Sequence, residues 1–329
     1  MILVTGGAGY IGSHVVKSLL ADRYEVLVLD NLSTGHKDAV DERAKFVEAD
    51  LMEEESINKI FYDNHIDAVI HFAAKSIVSD SVANPLKTFN CNLTGTINLL
   101  NSMTANQVSK MVFSSTAAVY GEPDEIPITE EHRLEPTNPY GESKLFMEKI
   151  FSRLNSIGKL NYVALRYFNA SGADYESGLG EDHDPETHLI PIVLAVASGQ
   201  LEKIIVYGDD YPTEDGTAVR DYIHVKDLVS AHILALKSLS EEKNKKAVYN
   251  LGNEVGHSVL NVIESAEKIT GKIIARETGP RREGDPSVLI ASSKKIKREL
   301  GWNPSYSHLD NIVESAWKWH SKNPQGFKR

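Results

Sequence analysis

A tyrosine and a lysine one helical turn apart have the clearest capacity for chemistry in this chain. The stretch from Tyr140 to Lys144 reads Tyr-Gly-Glu-Ser-Lys, and residues at i and i+4 share one face of a helix. A free phenol stays almost fully protonated at neutral pH because its pKa is ~10. A lysine charge roughly 5 Å away supplies on the order of 3 kcal/mol, or about two pKa units, at an effective dielectric of about 20. The pair therefore predicts that Tyr140 is a general base whose pKa is lowered by Lys144.

A glycine turn near the N-terminus predicts a bound dinucleotide. The short apolar run Ile2 to Thr5 stops at residues 6–12, Gly-Gly-Ala-Gly-Tyr-Ile-Gly, and helical apolar spacing then continues to Leu20. Strand, glycine turn and helix in this order let the backbone approach a pyrophosphate, whose charge lies at the helix N-terminus. The candidate cofactor-binding residues of this turn are Gly6, Gly9 and Gly12.

The next strands predict which dinucleotide binds. The second strand ends in Asp30, near the expected distance from the glycine turn, and an acid there accepts hydrogen bonds from a ribose 2′-hydroxyl and repels a 2′-phosphate. The sequence therefore favours NAD over NADP. Asp50 and Leu51 follow the third strand, where they would lie near the adenine. Ala73, directly after the fourth strand, is small enough to let the cofactor lie close.

Strands and helices alternate through the first half of the chain, which predicts a parallel sheet covered on both faces. A helix is expected from Pro85 to about Asn106, and a second helix begins at Pro139. Between them a strand from Lys110 ends in Ser114-Ser115-Thr116. These hydroxyls point into the crevice if the sheet is doubly wound, although such residues are equally common in plain turns. Residues 170–184 lack an apolar period and are interpreted as a loop.

Composition narrows the possible partners and compartment. The 329 residues carry a net charge of −11, which argues against nucleic acid as a partner. Cys91 is the single cysteine, so neither an intrachain disulfide nor a thiolate metal cluster can form. No apolar run reaches the ~18 residues of a membrane span. A cytoplasmic protein with no membrane partner and no bound metal is expected.

Several motifs together resemble the extended short-chain dehydrogenase/reductase family. The glycine turn of residues 5–12, the strand end at 114–116 and the Tyr140 to Lys144 stretch carry the general likeness. Residues 166–169, 211–217, 219–225 and 281–285 resemble the nucleotide-sugar 4-epimerases of that family in particular. The likeness covers essentially the whole chain.

The resemblance implies a reaction at C4 of a UDP-sugar. It implies an NAD that is reduced and reoxidised in each turnover, so that UDP-glucose and UDP-galactose interconvert through a 4-keto intermediate. Tyr140 would take the proton of the sugar 4-hydroxyl, and Thr116 would lie on the other side of that hydroxyl. Lys144 would hold the nicotinamide ribose and, with the positive nicotinamide, lower the pKa of Tyr140.

The resemblance also places residues around both ligands. The cofactor positions, beyond the glycines, Ala73 and the Tyr140–Lys144 pair, are Tyr10, Ile11, Asp30, Asn31, Asp50, Leu51, Phe72, Asn92 and Phe168. The substrate positions are Thr116, Asn169, Leu189, Tyr207, Arg220, Arg282, Asp285 and Leu289. Two arginines could hold the diphosphate bidentately, and Asp285 could accept ribose hydroxyls.

The expected architecture is α/β: a doubly wound Rossmann parallel sheet with a smaller C-terminal α/β substrate domain. Residues 1–169 are expected to form the NAD-binding domain, to which 220–252 return. Residues 170–219 and 253–329 would bind the nucleotide-sugar. The resemblance further implies a homodimer through the helices 85–106 and 139–153.

Two departures from the family pattern bear on the substrate. Ser76, beside Lys75, stands where some members have a phosphate-binding lysine. Leu289 replaces an aromatic residue found in members restricted to hexoses without an N-acetyl group, so UDP-N-acetylglucosamine is an alternative substrate.

Two rival functions remain open. A nucleotide-sugar dehydratase needs an acid just after the threonine, where this chain has Ala117 and Ala118. A non-catalytic NAD sensor would be expected to have lost Tyr140 or Lys144, and both are present.

Overall fold

The computed structural model describes residues 1–241, 245–282 and 285–327. The elements up to residue 167 are β1 (Ile2–Thr5), α1 (Tyr10–Ala21), β2 (Val26–Asp30), β3 (Lys45–Glu48), α2 (Glu54–Asp63), β4 (Ala68–His71), α3 (Val78–Ala83), α4 (Pro85–Phe89), α5 (Gly95–Ala105), β5 (Lys110–Thr116), α6 (Pro139–Ser156) and β6 (Asn161–Tyr167). The later elements are β7 (Asn169–Ser171), α7 (Leu189–Ala197), β8 (Ile204–Tyr207), β9 (Val219–His224), α8 (Val225–Ser240), β10 (Lys246–Leu251), β11 (Gly256–Ser258), α9 (Val259–Thr270), β12 (Arg276–Gly279), β13 (Val288–Leu289), α10 (Lys294–Leu300) and α11 (Leu309–Lys322).

A seven-stranded parallel sheet organises the molecule, in the order β10-β6-β5-β4-β1-β2-β3. The strand order reverses between β1 and β4, which creates a crevice beyond the carboxyl ends of these two strands. The predicted doubly wound sheet is confirmed. Strand β10, within the segment 220–252, pairs with β6 at the edge of the sheet.

Apolar residues on alternate positions of the strands form two cores, one on each face of the sheet. Val4 and Val28 pack with Val15 and Val16 of α1 and with α8. Leu3 packs on the opposite face with residues of α2, α5 and α6. Side chains alternate between the faces of a strand, so the continuous apolar runs of β1 and β2 are explained by helices on both sides.

A smaller α/β unit follows the sheet. Its core joins α7, α9 and α11 to β8 and to Tyr222 of β9. Strand β9 pairs with β7, β11 and β13, while β8 pairs with β12. The first residues of β9 therefore lie beside β13, and its last residues lie beside β7, which follows β6 in the chain.

Two local expectations need correction. The helix expected from Pro85 to Asn106 is interrupted by a π-helical turn at Asn90–Thr94, in which the backbone hydrogen bonds span five residues instead of four. The segment 170–184 contains the end of β7, which its glycines and acids concealed. Among the described residues, no helix combines the length and apolar character needed to cross a bilayer.

Candidate active site

The glycine turn brings three segments into close backbone contact. Gly6 has a φ of +72°, and a Cβ added to it would lie 2.7 Å from the Ala73 nitrogen. A Cβ on Gly12 would lie 2.2 Å from the Gly6 carbonyl oxygen. Gly9 is the N-cap residue of α1 and, because it has no side chain, leaves the free backbone N–H groups there uncrowded. The turn after β1, the start of α1 and the loop after β4 therefore form one narrow cradle.

The residues that follow Gly9 face in different directions. The Tyr10 hydroxyl donates a hydrogen bond of 2.6 Å to the Gly172 carbonyl, which ties α1 to the segment after β7. Burial raises the pKa of Tyr10, and the nearby carboxylates of Glu181 and Glu186 raise it further. Ile11 packs against the core on the face of the sheet that α1 and α8 cover.

The predicted acid at the end of β2 lies against the glycine turn. The Asp30 carboxylate accepts hydrogen bonds of 2.9 Å from the Ala8 and Leu32 backbone nitrogens, and its burial raises its pKa. Asn31 donates to Asp50 across 2.8 Å. Leu51, next to Asp50, is buried. The strand-end residues assigned to the adenosine half of the cofactor are therefore neighbours in space.

Asn92 connects the loop after β4 to the helix that carries Tyr140. Its Oδ1 accepts from the Lys75 nitrogen at 2.7 Å, and its Nδ2 donates to the Ser143 hydroxyl at 2.9 Å. Asn92 lies in the π-helical turn, which aims its side chain at α6. On the other side of this loop, the Phe72 ring lies 4.8 Å from the His232 ring.

Tyr140 and Lys144 lie on the first turns of α6, whose start is fixed by Asn138. The Asn138 side chain accepts a hydrogen bond of 2.9 Å from Gly141, as expected of an N-cap. Lys144 is buried, and its ammonium donates to the Ser114 carbonyl at 2.8 Å. Its Nζ lies 5.9 Å from the centre of the Tyr140 ring. The phenol and the ammonium thus share one wall of the crevice.

Among the three hydroxyls at the end of β5, Thr116 is the one beside Tyr140. Ser114 bonds to the Tyr167 hydroxyl at 2.5 Å, and Ser115 donates to Glu148 at 2.6 Å. A hydrogen bond from Thr116 favours the ionised form of Tyr140. The serines are therefore structural, while Thr116 can reach a ligand that Tyr140 also reaches.

The expected lowering of the Tyr140 pKa by Lys144 is wrong for the chain alone. Burial raises the pKa of Tyr140 to about 12, and the Thr116 hydrogen bond only partly offsets it. Burial also lowers the pKa of Lys144 to about 7, opposed by the charge of Glu148. The spacing of the two residues predicts attraction to a lysine charge that is well solvated. In the folded chain, the same enclosure that brings the two groups together removes water from both, which disfavours the charged form of each.

Four of the predicted substrate residues form two pairs. Arg220, at the start of β9, makes an ion pair with Asp285. The Arg282 guanidinium lies 4.3 Å from the centre of the Tyr207 ring, a cation–π contact. Both arginines are thus oriented by neighbours that were themselves assigned to the substrate.

Asn169 and Leu189 line one small cavity, together with Tyr222, Glu181 and His188. Leu289, also assigned to the substrate, does not line this cavity; with Phe168, which was assigned to the cofactor, it packs against a buried cluster of Val119, Tyr120, Ile128 and Leu145. Sequence reasoning overlooked Glu181 and His188. The pattern Glu-x-His-x-x-Glu-x-His at residues 181–188 was the signal that could have found them.

The site fits a dinucleotide. The cradle at Gly6 and Gly12 leaves no room for a Cβ, as backbone that approaches a pyrophosphate requires, and Asp30 places a carboxylate beside it. With the strand order of the sheet, these features define a Rossmann-type, dinucleotide-dependent protein.

The chain belongs to the NAD dependent epimerase/dehydratase family, whose model matches residues 2–252. It is 53% identical over 326 residues to a UDP-glucose 4-epimerase of Lacticaseibacillus casei, covering 99% of this chain and 98% of that protein. Among solved structures, it is similar to the UDP-glucose 4-epimerase of Bifidobacterium longum in complex with NAD+ and UDP, with a TM-score of 0.93, 42% identity and 99% of each chain covered. It is also similar to the UDP-Glc/GlcNAc 4-epimerase of Campylobacter jejuni, with a TM-score of 0.85, 42% identity and 98% and 99% of the two chains covered.

Replacing Gly12 with alanine tests the cradle. Because the new Cβ would meet the Gly6 carbonyl, we expect Gly12→Ala to lose its NAD and to lower the free energy of unfolding by about 3 kcal/mol. NAD extracted from the purified protein and urea unfolding measure the two effects. Gly158→Ala is the control for general destabilisation: the alanine meets no neighbour but is strained by the φ of +70°, so it should lower stability without loss of NAD. Equal NAD content in both variants would contradict the assignment.

Proposed function

We propose that this chain interconverts UDP-glucose and UDP-galactose by oxidation and re-reduction at C4, with NAD as its cofactor. The observation that carries the proposal is the meeting of Tyr140, Thr116 and Lys144 at the carboxyl end of β5, beside the glycine cradle. The full-length likeness to UDP-glucose 4-epimerases supports the same reaction.

The chain's own residues control the proton of the sugar hydroxyl. NAD, when bound, accepts a hydride from C4 and returns it. Tyr140 takes the proton of the 4-hydroxyl, and Thr116 positions that hydroxyl by hydrogen bonding. Lys144 supplies positive charge beside the phenol and donors for a ribose. Because burial holds the Tyr140 pKa near 12 in the chain alone, the phenol keeps its proton until bound ligands change the charge around it.

The remaining positions divide between the two ligands. We assign the glycine turn, Asp30, Asn31, Asp50, Leu51, Phe72, Asn92 and Phe168 to the NAD side, and residues 1–169 with 220–252 to the domain that holds it. Residues 170–219 and 253–329 hold the nucleotide-sugar. Arg220 and Arg282 are suited to its diphosphate, because Asp285 and Tyr207 already orient their guanidinium groups.

The dehydratase alternative lacks support in the site. Ala117 and Ala118 follow Thr116, and the turn they form places no acid next to the threonine hydroxyl, which accepts the Ala118 N–H at 3.1 Å.

The single cysteine and the nucleotide-sugar substrate support a cytoplasmic location.

Replacing Tyr140 with phenylalanine tests the general base. We expect Tyr140→Phe to retain the fold and to lower kcat for conversion of UDP-galactose, without added NAD, by about 10²–10⁴-fold. Formation of UDP-glucose from UDP-galactose is the measurement. Tyr62→Phe, which alters a tyrosine 87% exposed on α2, is the matched control. A Tyr140→Phe enzyme as fast as the control would refute the mechanism. A wild type with neither product nor bound dinucleotide would favour an NAD sensor.

We further propose that UDP-N-acetylglucosamine is accepted. Leu289, on β13, packs with Phe168 against the cluster of Val119 and Tyr120, where an aromatic side chain would project further. The likeness to a UDP-Glc/GlcNAc 4-epimerase supports this wider range.

Enlarging residue 289 tests the substrate range. We expect wild type to epimerise both sugars, and Leu289→Tyr to lose at least about tenfold in kcat/KM for the N-acetylated sugar while keeping most activity on UDP-glucose. Leu289→Met, of similar volume, should retain both activities. A wild type active on UDP-glucose alone would remove the wider claim and leave the 4-epimerase assignment intact.

We also propose a homodimer formed through α4, α5 and α6. An apolar groove lies between the π-helical turn, α5 and α6, lined by Leu93, Ile97, Phe146 and Ile150, with Lys149 and Arg153 beside them. Leu86 is 83% exposed, Ile97 42% and Phe146 44%. An exposed apolar patch on adjacent helices is typical of a protein–protein interface, and the resemblance implies that its occupant is a second copy of this chain.

A charge placed in the groove tests the dimer. We expect wild type to sediment as a dimer and Phe146→Arg as a monomer, because a dimer would bury an unpaired guanidinium. Tyr62→Arg adds the same charge outside the groove and should remain dimeric. Sedimentation velocity distinguishes the species, and a monomeric wild type would overturn the proposal.

A further inference from the structure

Four potential metal ligands lie together between β7 and α7, and the proposed reaction gives none of these four side chains a role. Glu181, His183, Glu186 and His188 each offer one ligand atom, and these atoms all lie within 4.8 Å of one another. Two imidazole nitrogens and two carboxylate oxygens converge within eight residues. This grouping is tighter than ordinary surface charges require.

The geometry centres on the two Nδ1 atoms. His188 Nδ1 lies 2.9 Å from Glu181 and 3.0 Å from Glu186. His183 Nδ1 lies 3.4 Å from Glu181 and 3.7 Å from Glu186. Tetrahedral ligands at about 2.0 Å from a zinc ion lie about 3.3 Å from one another. The observed separations lie on both sides of that value, so an ion requires only small side-chain movements.

One atom of the cluster lacks a satisfactory partner. His183 Nδ1 is shielded from solvent and makes no well-formed hydrogen bond with the described residues; it faces Glu181 at 3.4 Å and Glu186 at 3.7 Å as an ion pair. Long contacts of this kind satisfy a shielded nitrogen poorly. A bound cation would give this nitrogen a ligand bond.

The charges also match a dication. Glu181 is buried, at 4% exposure, beside the partly buried Glu186, and two neighbouring carboxylates balance two positive charges. Imidazole with carboxylate is a donor set suited to zinc and similar transition metals, whereas calcium and magnesium prefer oxygen alone.

We propose that Glu181, His183, Glu186 and His188 bind one divalent transition-metal ion of the zinc class. The ion has a structural role. Glu181 and His188 line the same cavity as Asn169 and Leu189, and the His183 ring lies 6.3 Å from the ring of Tyr10 at the glycine turn. The ion therefore holds in place a segment that borders both the cavity at Asn169 and Leu189 and the Tyr10 ring of the glycine turn.

Metal binding to the holoenzyme tests the proposal. Protein without a polyhistidine tag is stripped with a chelator and titrated with Zn²⁺ against a competing indicator. We expect one tight site per chain, weakened at least about tenfold in His183→Gln and in Glu186→Gln. The matched controls are His65→Gln and Glu176→Gln, which alter exposed residues outside the cluster and should bind as wild type does.

A second measurement covers variants that fail to fold. Co²⁺ bound to the wild type should show the intense visible absorption of a four-coordinate site, and Zn²⁺ should raise the wild-type Tm. A weak six-coordinate spectrum, no site in the wild type, or equal affinity in His183→Gln and His65→Gln would each overturn the proposal. In that case the four residues form ion pairs only, and the epimerase assignment is unaffected.

Discussion

The placement of Tyr140 and Lys144 depends on a buried ion pair one turn further along α6. Arg166 of β6 donates to Glu148 at 3.0 Å and 2.5 Å, and Glu148 also accepts from Ser115 of β5. Arg166 donates in addition to the Tyr120 hydroxyl, which donates to Asn250 of β10. Three adjacent strands and α6 are thus joined by one hydrogen-bonded network. Because removing one partner of such a pair leaves a buried charge, breaking it costs about 3–5 kcal/mol.

The same network affects the charges of Tyr140 and Lys144. Glu148 is the carboxylate that stabilises the Lys144 ammonium, but it is already neutralised by Arg166. Burial therefore dominates, and the pKa of Lys144 falls to about 7 while that of Tyr140 rises to about 12. Without ligands, burial shifts both Tyr140 and Lys144 towards their uncharged forms. Ligand charge is needed to favour the phenolate, which couples deprotonation to occupancy of the site.

The parts of this design that are local in sequence could be predicted. The glycine turn, Asp30 and the spacing of Tyr140 and Lys144 depend on short-range geometry, and the structure places them around one crevice. The π-helical turn around Asn92 could not be predicted from the local sequence, because the partners of Asn92 there, Lys75 and Ser143, are distant in sequence. The prediction of a lowered Tyr140 pKa was wrong for a related reason. The spacing of residues shows which charges are near one another, but not how much water remains around them.

Two neighbouring residues of β9, Arg220 and Asp221, make different kinds of contact. Side chains alternate along β9, so Arg220 and Asp221 point to opposite faces. Asp221 is fully buried and accepts hydrogen bonds from the backbone nitrogens of Asn253, Glu254 and Ala291. These bonds fix the segments that follow β10 and β13 against β9. Since Leu289 belongs to β13, the carboxylate on one face of β9 helps to fix the strand that carries Leu289, while the Arg220 guanidinium on the other face makes its ion pair with Asp285.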